Sequence, residues 1–343
     1  MALIKKKKAI FPVTKPLEVF LEKYARLSTI PIHYADLMRY DNAIPLYDAA
    51  GEDTLWVTVF YPQGEMEGIH ESLKKIYAML YANGDMSVMT HLSIDRVDLC
   101  EFGNTLPFRV RVINNINDNF DYFYIKVADA SRIYGLELEN LLSPNNVDYL
   151  VHEQTLIEQH IAGVPGYRFM EHYLDNTNDI NRIRIAKEFV KFNERCFVRL
   201  LGDMHSSNFV VDITPDFEET HYRIRAIDFD QQCYEGRRSI YLPHYFKENN
   251  PIIQMGIELM TRETLKQYQT EERVKIDRRA KVSHAALKDL LLVMQQDQIA
   301  PPENVKSLKA ELGEFYQTKA FDRCENMGEV LQVSLQELLN YPR

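Results

Sequence analysis

Apolar positions dominate "TLWVTVFY" at 54–61, a short run rich in β-branched and aromatic residues that reads as a strand. The stretch "GIHESLKKIYAMLYANGD" at 68–85 changes to the spacing of an amphipathic helix, stopped by Asn-Gly. From about 95 the pattern turns to strands in "DRVDLCEFG", "FRVRVINN" and "FDYFYIKVAD", separated by the short turns "NTLP" and "INDN". Three such runs predict an antiparallel meander. In "DYLVHEQTLIEQHI", at 148–161, Leu150, Ile157 and Ile161 fall on one helical stripe, and "AGVPG" closes it. The apolar segment "YRFMEHYL" and the polar "DNTND" at 175–179 come next, the latter marking a boundary.

The second half reads differently. Residues 179–200 carry a long helical pattern with Asp179 as N-cap. "NFVVDI" and "YRIRAIDF" then flank the polar stretch 214–221 as a hairpin. Beyond about 250 the pattern is helical, in segments starting near 252, 271, 302 and 326. The order is β-rich, then helical around one small hairpin.

Composition narrows the function classes. A chain of 343 residues with 45% hydrophobic and 26% charged residues is long enough for two units with a real core. Its net charge of -10 argues against a general nucleic-acid binder, which needs a basic footprint. The four cysteines form no C-x-x-C pair, so neither a zinc knuckle nor a disulfide framework is expected. No run reaches the ~18 apolar residues of a membrane span, and no apolar stretch of signal-peptide length follows Lys5 to Lys8. A soluble, cytoplasmic protein with no membrane partner is expected, with the lysine run solvated. H-E-x-x-H, G-x-S-x-G and the Rossmann glycine fingerprint are all missing, which argues against a zinc hydrolase, a serine hydrolase and a dehydrogenase.

The candidate chemistry lies in two strings. "LLGDMHSSNF" at 200–209 sets Asp203, His205 and Asn208 on one turn, and "IRAIDFDQQ" at 224–232 returns with Asp228 and Asp230 after the hairpin. An aspartate, an asparagine five positions on, two short strands and I-D-F-D together resemble the catalytic segment of the protein-kinase-like fold. The resemblance is to its aminoglycoside phosphotransferase and choline kinase branch, with H-G-D-x-H-x-x-N and I-D-F/W-D/E. It covers about residues 96–300.

The resemblance implies an α+β, two-lobed fold, with an antiparallel sheet in the N-lobe (96–175) and a mainly helical C-lobe (176–343) carrying the catalytic hairpin. Residues 1–95 would be an N-terminal α/β extension. It further implies an ATP- and Mg-dependent phosphotransferase acting on a hydroxyl of a small-molecule acceptor. Phosphoryl transfer rests on hard oxygen ligands that hold Mg²⁺ and on a carboxylate that orients the hydroxyl. Asp203 would orient the acceptor, His205 brace the loop, Asn208 and Asp228 hold the metal, and Asp230 support it.

Lys126, on the face opposite Ile125 and Val127, would reach the phosphates. Glu153 on the following helix would hold it, with Glu158 as the second choice. In place of G-x-G-x-x-G the turn before the second strand offers Gly103 alone. Leu201 stands where the branch has histidine, and Tyr124 where protein kinases have a small residue. These departures support another reading, a pseudokinase that binds or scaffolds; a protein kinase or nucleotidyl transferase on the same fold is a further alternative. Neither the acceptor nor the oligomeric state follows from the sequence.

Overall fold

The computed structural model describes residues 8–48, 51–101, 103–174, 181–217 and 220–339. Asp179 and the segment 175–179 lie outside the described residues, as do Lys5 to Lys7. The fold is α+β, in two compact units. One comprises Met1–Asp129 and Val147–His160; the other comprises Ala130–Asn146 and Ile161–Arg343.

The first unit is built on a seven-stranded sheet. It holds helices α1 (Lys15–Lys23), α2 (Tyr34–Leu37) and α3 (Gln63–Tyr81) and strands β1 (Asn42–Tyr47), β2 (Asp53–Phe60), β3 (Leu92–Cys100), β4 (Phe108–Asn114), β5 (Phe120–Val127), β6 (Tyr149–His152) and β7 (Thr155–Gln159). The strand order is β1-β2-β3-β4-β5-β7-β6, antiparallel at every pairing. The expected meander is present as β3–β4–β5. Strands β1 and β2, which fall within residues 1–95, belong to the same sheet as the meander. Edge strand β1 contains Pro45, opposite Val57.

Alternation gives this sheet two unlike faces. Val57, Val59, Val97, Leu99, Phe108, Val110, Phe123, Ile125 and Ile157 lie in one core with Ile69, Leu73, Ile76 and Leu80 of α3. The residues between them form a polar row across the strands. Register places Thr58 opposite Asp98, Asp98 opposite Arg109, Arg109 opposite Tyr124, and Tyr124 opposite Glu158. Asp98 is fully buried, and accepts from Thr58 Oγ1 at 2.8 Å, Arg96 Nε at 3.0 Å and Arg109 Nη2 at 2.8 Å. A buried carboxylate needs such donors, since an unpaired one is expensive.

Two expectations fail here. The segment 148–161 is a β-hairpin and not a helix, and its turn is made by Glu153 in a left-handed conformation (φ 49°). Lys8 is not solvated: its ammonium lies 2.6 Å from Asp129, and both side chains are buried.

The second unit is mainly helical: α4 (Ala130–Leu142), α5 (Gly166–His172), α6 (Arg182–Val198), α7 (Asn250–Leu259), α8 (Arg262–Val282), α9 (His284–Met294), α10 (Pro302–Tyr316) and α11 (Met327–Leu339). A small sheet of β8 (Val164–Pro165), β9 (Phe209–Pro215) and β10 (Thr220–Ala226) has the order β10-β9-β8. The hairpin β9–β10 is the expected one. Phe189 and Phe192 of α6 pack on Phe209 of β9, with centroids 6.5 and 5.2 Å away. The free edge of β10 is closed by α6: Glu188 accepts the Ile224 N–H at 3.1 Å, and Arg195 donates to the Ile224 carbonyl at 3.0 Å. Arg195 also pairs with Glu188 at 2.6 Å and with Glu272 of α8 at 3.0 Å. The hairpin that leads into the acidic string is thereby fixed to two helices.

Candidate functional site

Helix α6 ends at Val198, and the chain then turns sharply through Leu200 (φ 53°) and Asp203 (φ 61°). Both lie in the left-handed region, disfavoured for non-glycine residues but tolerated by aspartate. Leu201 is fully buried and bridges to Gln232. The Cys233 N–H donates to the Leu200 carbonyl at 2.9 Å and the Gly202 N–H to the Gln231 carbonyl at 3.2 Å. These bonds set the turn beside the chain just after Asp230, so packing and backbone pairing hold the loop where the resemblance has a histidine.

Within the turn, Asn208 Nδ2 donates to the Asp203 carbonyl at 2.8 Å and the Asn208 carbonyl accepts the Ile227 N–H at 3.0 Å. One asparagine thus ties the Asp203 loop to the start of the I-D-F-D string. The Ser207 N–H points at His205 Nδ1 at 3.3 Å, which assigns the ring proton to Nε2; Nε2 lies 4.0 Å from Asp203 Oδ2. Burial lowers the His205 pKa from its ordinary value, which favours the neutral ring. Asp203 is pushed up to about 7, first by burial and then by the charges of Asp228, Glu235, Glu248 and Asp230.

Sequence reasoning missed the positive group in this cluster. Arg132, on α4, places Nη1 2.8 Å from Asp228 Oδ1 and 2.8 Å from Asp230 Oδ1, and its Nη2 3.3 Å from the Ile227 carbonyl. The Asp230 N–H also donates to Asp228 Oδ1, at 3.0 Å. Nothing local marks Arg132, since it lies in a helix buried on nearly every side, where no amphipathic stripe appears.

Gly135, one turn further along α4, allows this approach. A Cβ there would sit 2.9 Å from Phe229 Cβ and 3.2 Å from Gln232 Cβ. Gly135→Ala is therefore expected to cost about 1–3 kcal/mol by overpacking, measured as a lower midpoint in urea unfolding.

The remaining candidates lie in the first unit. Lys126 is on β5, on the face opposite Ile125, as the alternation predicts. Its ammonium is 2.8 Å from Glu158 of β7, with both side chains buried. Glu153 is not its partner. Tyr124 faces Glu158 in register, so Lys126, two residues on, meets Glu158 on the diagonal, while Glu153 is out at the hairpin turn. Gly103 lies in the β3–β4 turn, where an added Cβ would meet Pro107 Cδ at 2.8 Å. Tyr124 spans this surface, with its hydroxyl 3.2 Å from His160 Nδ1 and its ring 5.4 Å from the Lys126 ammonium.

The carboxylates of the acidic cluster and the Asn208 amide are oxygen donors of the kind magnesium takes, although among the described residues Asp203, Asp228 and Asp230 do not bring three ligand atoms within 4.8 Å of one another. Carboxylates from two chain segments lie near an asparagine, and, second to burial, the field of the Asp228, Glu235, Glu248 and Asp230 charges raises the Asp203 pKa. Arg132 offsets part of that field. A separate cavity of about 810 Å³, lined by Glu188, Lys191, Arg195, Arg223, Glu272 and Lys275 among others, includes none of Asp203, Asn208, Asp228 or Asp230.

No protein-family profile matches the sequence, and no curated protein matches it. Among solved structures, titin kinase with its flanking domains is similar at 11% identity over 74% of this chain and 52% of that one, with a TM-score of 0.26. The Neurospora crassa PAN3 pseudokinase is similar at 13% identity over 82% and 70%, with a TM-score of 0.21. This chain spans about half the length of the titin structure. At these scores the likeness carries no argument about activity.

Proposed function

We propose that this protein is a kinase-like phosphotransferase that moves the terminal phosphoryl group of ATP to a hydroxyl of a small molecule. The observation that carries the reading is the convergence of Asp203 with Asp228 and Asp230 on one turn and hairpin, locked by Asn208. A carboxylate whose pKa is raised to about 7 is suited to take a proton from an attacking hydroxyl near neutral pH.

In this reading Asp203 accepts that proton and orients the hydroxyl for in-line attack. His205, neutral and held by the Ser207 N–H, keeps its Nε2 proton toward Asp203. Asp228, Asp230 and Asn208 hold Mg²⁺, which when bound neutralises charge on the phosphate oxygens. Arg132 fixes the side chains of Asp228 and Asp230 through their Oδ1 atoms. Lys126, paired with Glu158 in the place first expected for Glu153, belongs to the first unit.

A second reading, a pseudokinase that binds nucleotide without turnover, is favoured by one observation. Arg132 already provides a positive charge to both carboxylates, the role that a metal would fill.

Conversion of ATP to ADP separates the two by turnover, and thermal unfolding with ATP and Mg²⁺, singly and together, tests the nucleotide site that both need. A ligand that binds only the folded chain raises the midpoint by mass action. The phosphotransferase reading expects a rise that needs both components and is lost in Asp228→Ala. A rise with ATP alone, unchanged in Asp228→Ala, would support the pseudokinase. No rise at saturating nucleotide would overturn both.

A further inference from the structure

We propose that His33, His152 and Glu153 form a binding site for a divalent transition-metal ion of the zinc class. Ligand atoms of the three residues all lie within 4.8 Å of one another. The three come from two places in the first unit. His33 is the N-cap residue of α2, whereas His152 ends β6 and Glu153 makes the β6–β7 turn.

The two places are tied together before any ion is considered. The Tyr34 N–H donates to Thr155 Oγ1 at 3.0 Å, joining the start of α2 to the hairpin. The His33 N–H donates to Asp36 Oδ2 at 2.9 Å. The His33 and His152 rings are 5.2 Å apart. Both imidazoles are therefore presented by restrained backbone, and the left-handed turn at Glu153 brings its carboxylate to 3.9 Å from His33 Nε2.

The two nitrogens of His33 have different surroundings. Nδ1 faces Asp36 Oδ2 at 3.6 Å, while Nε2 is shut off from solvent and has no hydrogen-bond partner among the described residues. Histidines that bind metal turn one ring nitrogen to a carboxylate and the other to the ion. A buried nitrogen without a partner is costly, and a metal bond removes that cost.

Zinc binds histidine and carboxylate at roughly 2.0–2.2 Å, which puts tetrahedral ligands about 3.3 Å apart. The cluster reaches that spacing by contracting by at most about 1.5 Å, through rotation of the exposed Glu153 side chain and the His33 ring. Two imidazoles and one carboxylate suit zinc, and the fourth position is left to water. A bound ion would clip the α2 segment to the β6–β7 hairpin, two parts of the chain that are far apart in sequence.

The test uses the full chain, stripped with a chelator and then titrated with Zn²⁺, and separately with Co²⁺ as a spectroscopic probe. The expected result is one ion per chain, a raised unfolding midpoint, and cobalt bands of tetrahedral intensity. His33→Gln and His152→Gln should abolish these signals. Asp36→Asn should weaken binding by about tenfold, as loss of a carboxylate behind a ligand does. Glu153→Gln, at an exposed turn, provides a variant that keeps the fold and loses affinity. Zinc binding that survives His33→Gln, His152→Gln and Glu153→Gln would overturn the proposal, as would no binding at all to the folded parent chain.

Discussion

Arg195→Met should lower the stability of the protein by about 3–5 kcal/mol, the range for breaking a buried ion pair from one side. The change removes a guanidinium that is 4% exposed and leaves Glu188 and Glu272 facing each other without it. It also strips the Ile224 carbonyl of its donor. Methionine fills most of the volume, so the loss reads electrostatics and hydrogen bonding more than a cavity. Urea unfolding of parent and variant measures it directly. A change below about 1 kcal/mol would mean that the triad is no more than a solvated surface cluster.

The second large effect is at Asp203. Asp203→Asn is expected to reduce phosphoryl transfer by about 10²–10⁴-fold, the usual contribution of a positioned base, while making the folded chain more stable at neutral pH. In the parent, the folded-state pKa is about 7 against an ordinary value of 3.8. Between these values the folded chain retains a proton that the unfolded chain has released, so stability falls as pH rises through that window and is level above it. Asparagine carries no such charge, and the slope disappears. Because the Asp203 side chain is 39% exposed, screening limits the gain above pH 7 to about 1 kcal/mol. Unfolding midpoints from pH 4 to 8 give the slope, and phosphate transfer assays give the rate. A variant that is both slower and less stable would show that Asp203 holds the loop and does not strain it.

Local pattern carried the β3–β4–β5 meander, because "FRVRVIN" and "FDYFYIKV" alternate cleanly between an apolar core face and a polar row. The β6–β7 hairpin escaped for an equally physical reason. Its turn contains no glycine, proline or asparagine, and Leu150, Ile157 and Ile161 fit a helical stripe as well as a strand pair. Misreading that hairpin as a helix put Glu153 on the same side as Lys126; strand register gives the partnership to Glu158. Helix α4 was hidden by its own burial, and with it went Arg132. Asp203, Asn208 and Asp228 were legible because one turn and one hairpin bring them together. His33 and His152 were not, because no local spacing links residues that only the sheet makes neighbours.

Pro45 has a bearing on how this chain behaves in a crowded solution. An open sheet invites growth, since a second chain can lay its own backbone along an unpaired edge. At β1 one position lacks a backbone donor, because proline has no N–H to offer. A proline at the rim of a seven-stranded sheet disfavours recruitment of a further strand by that route.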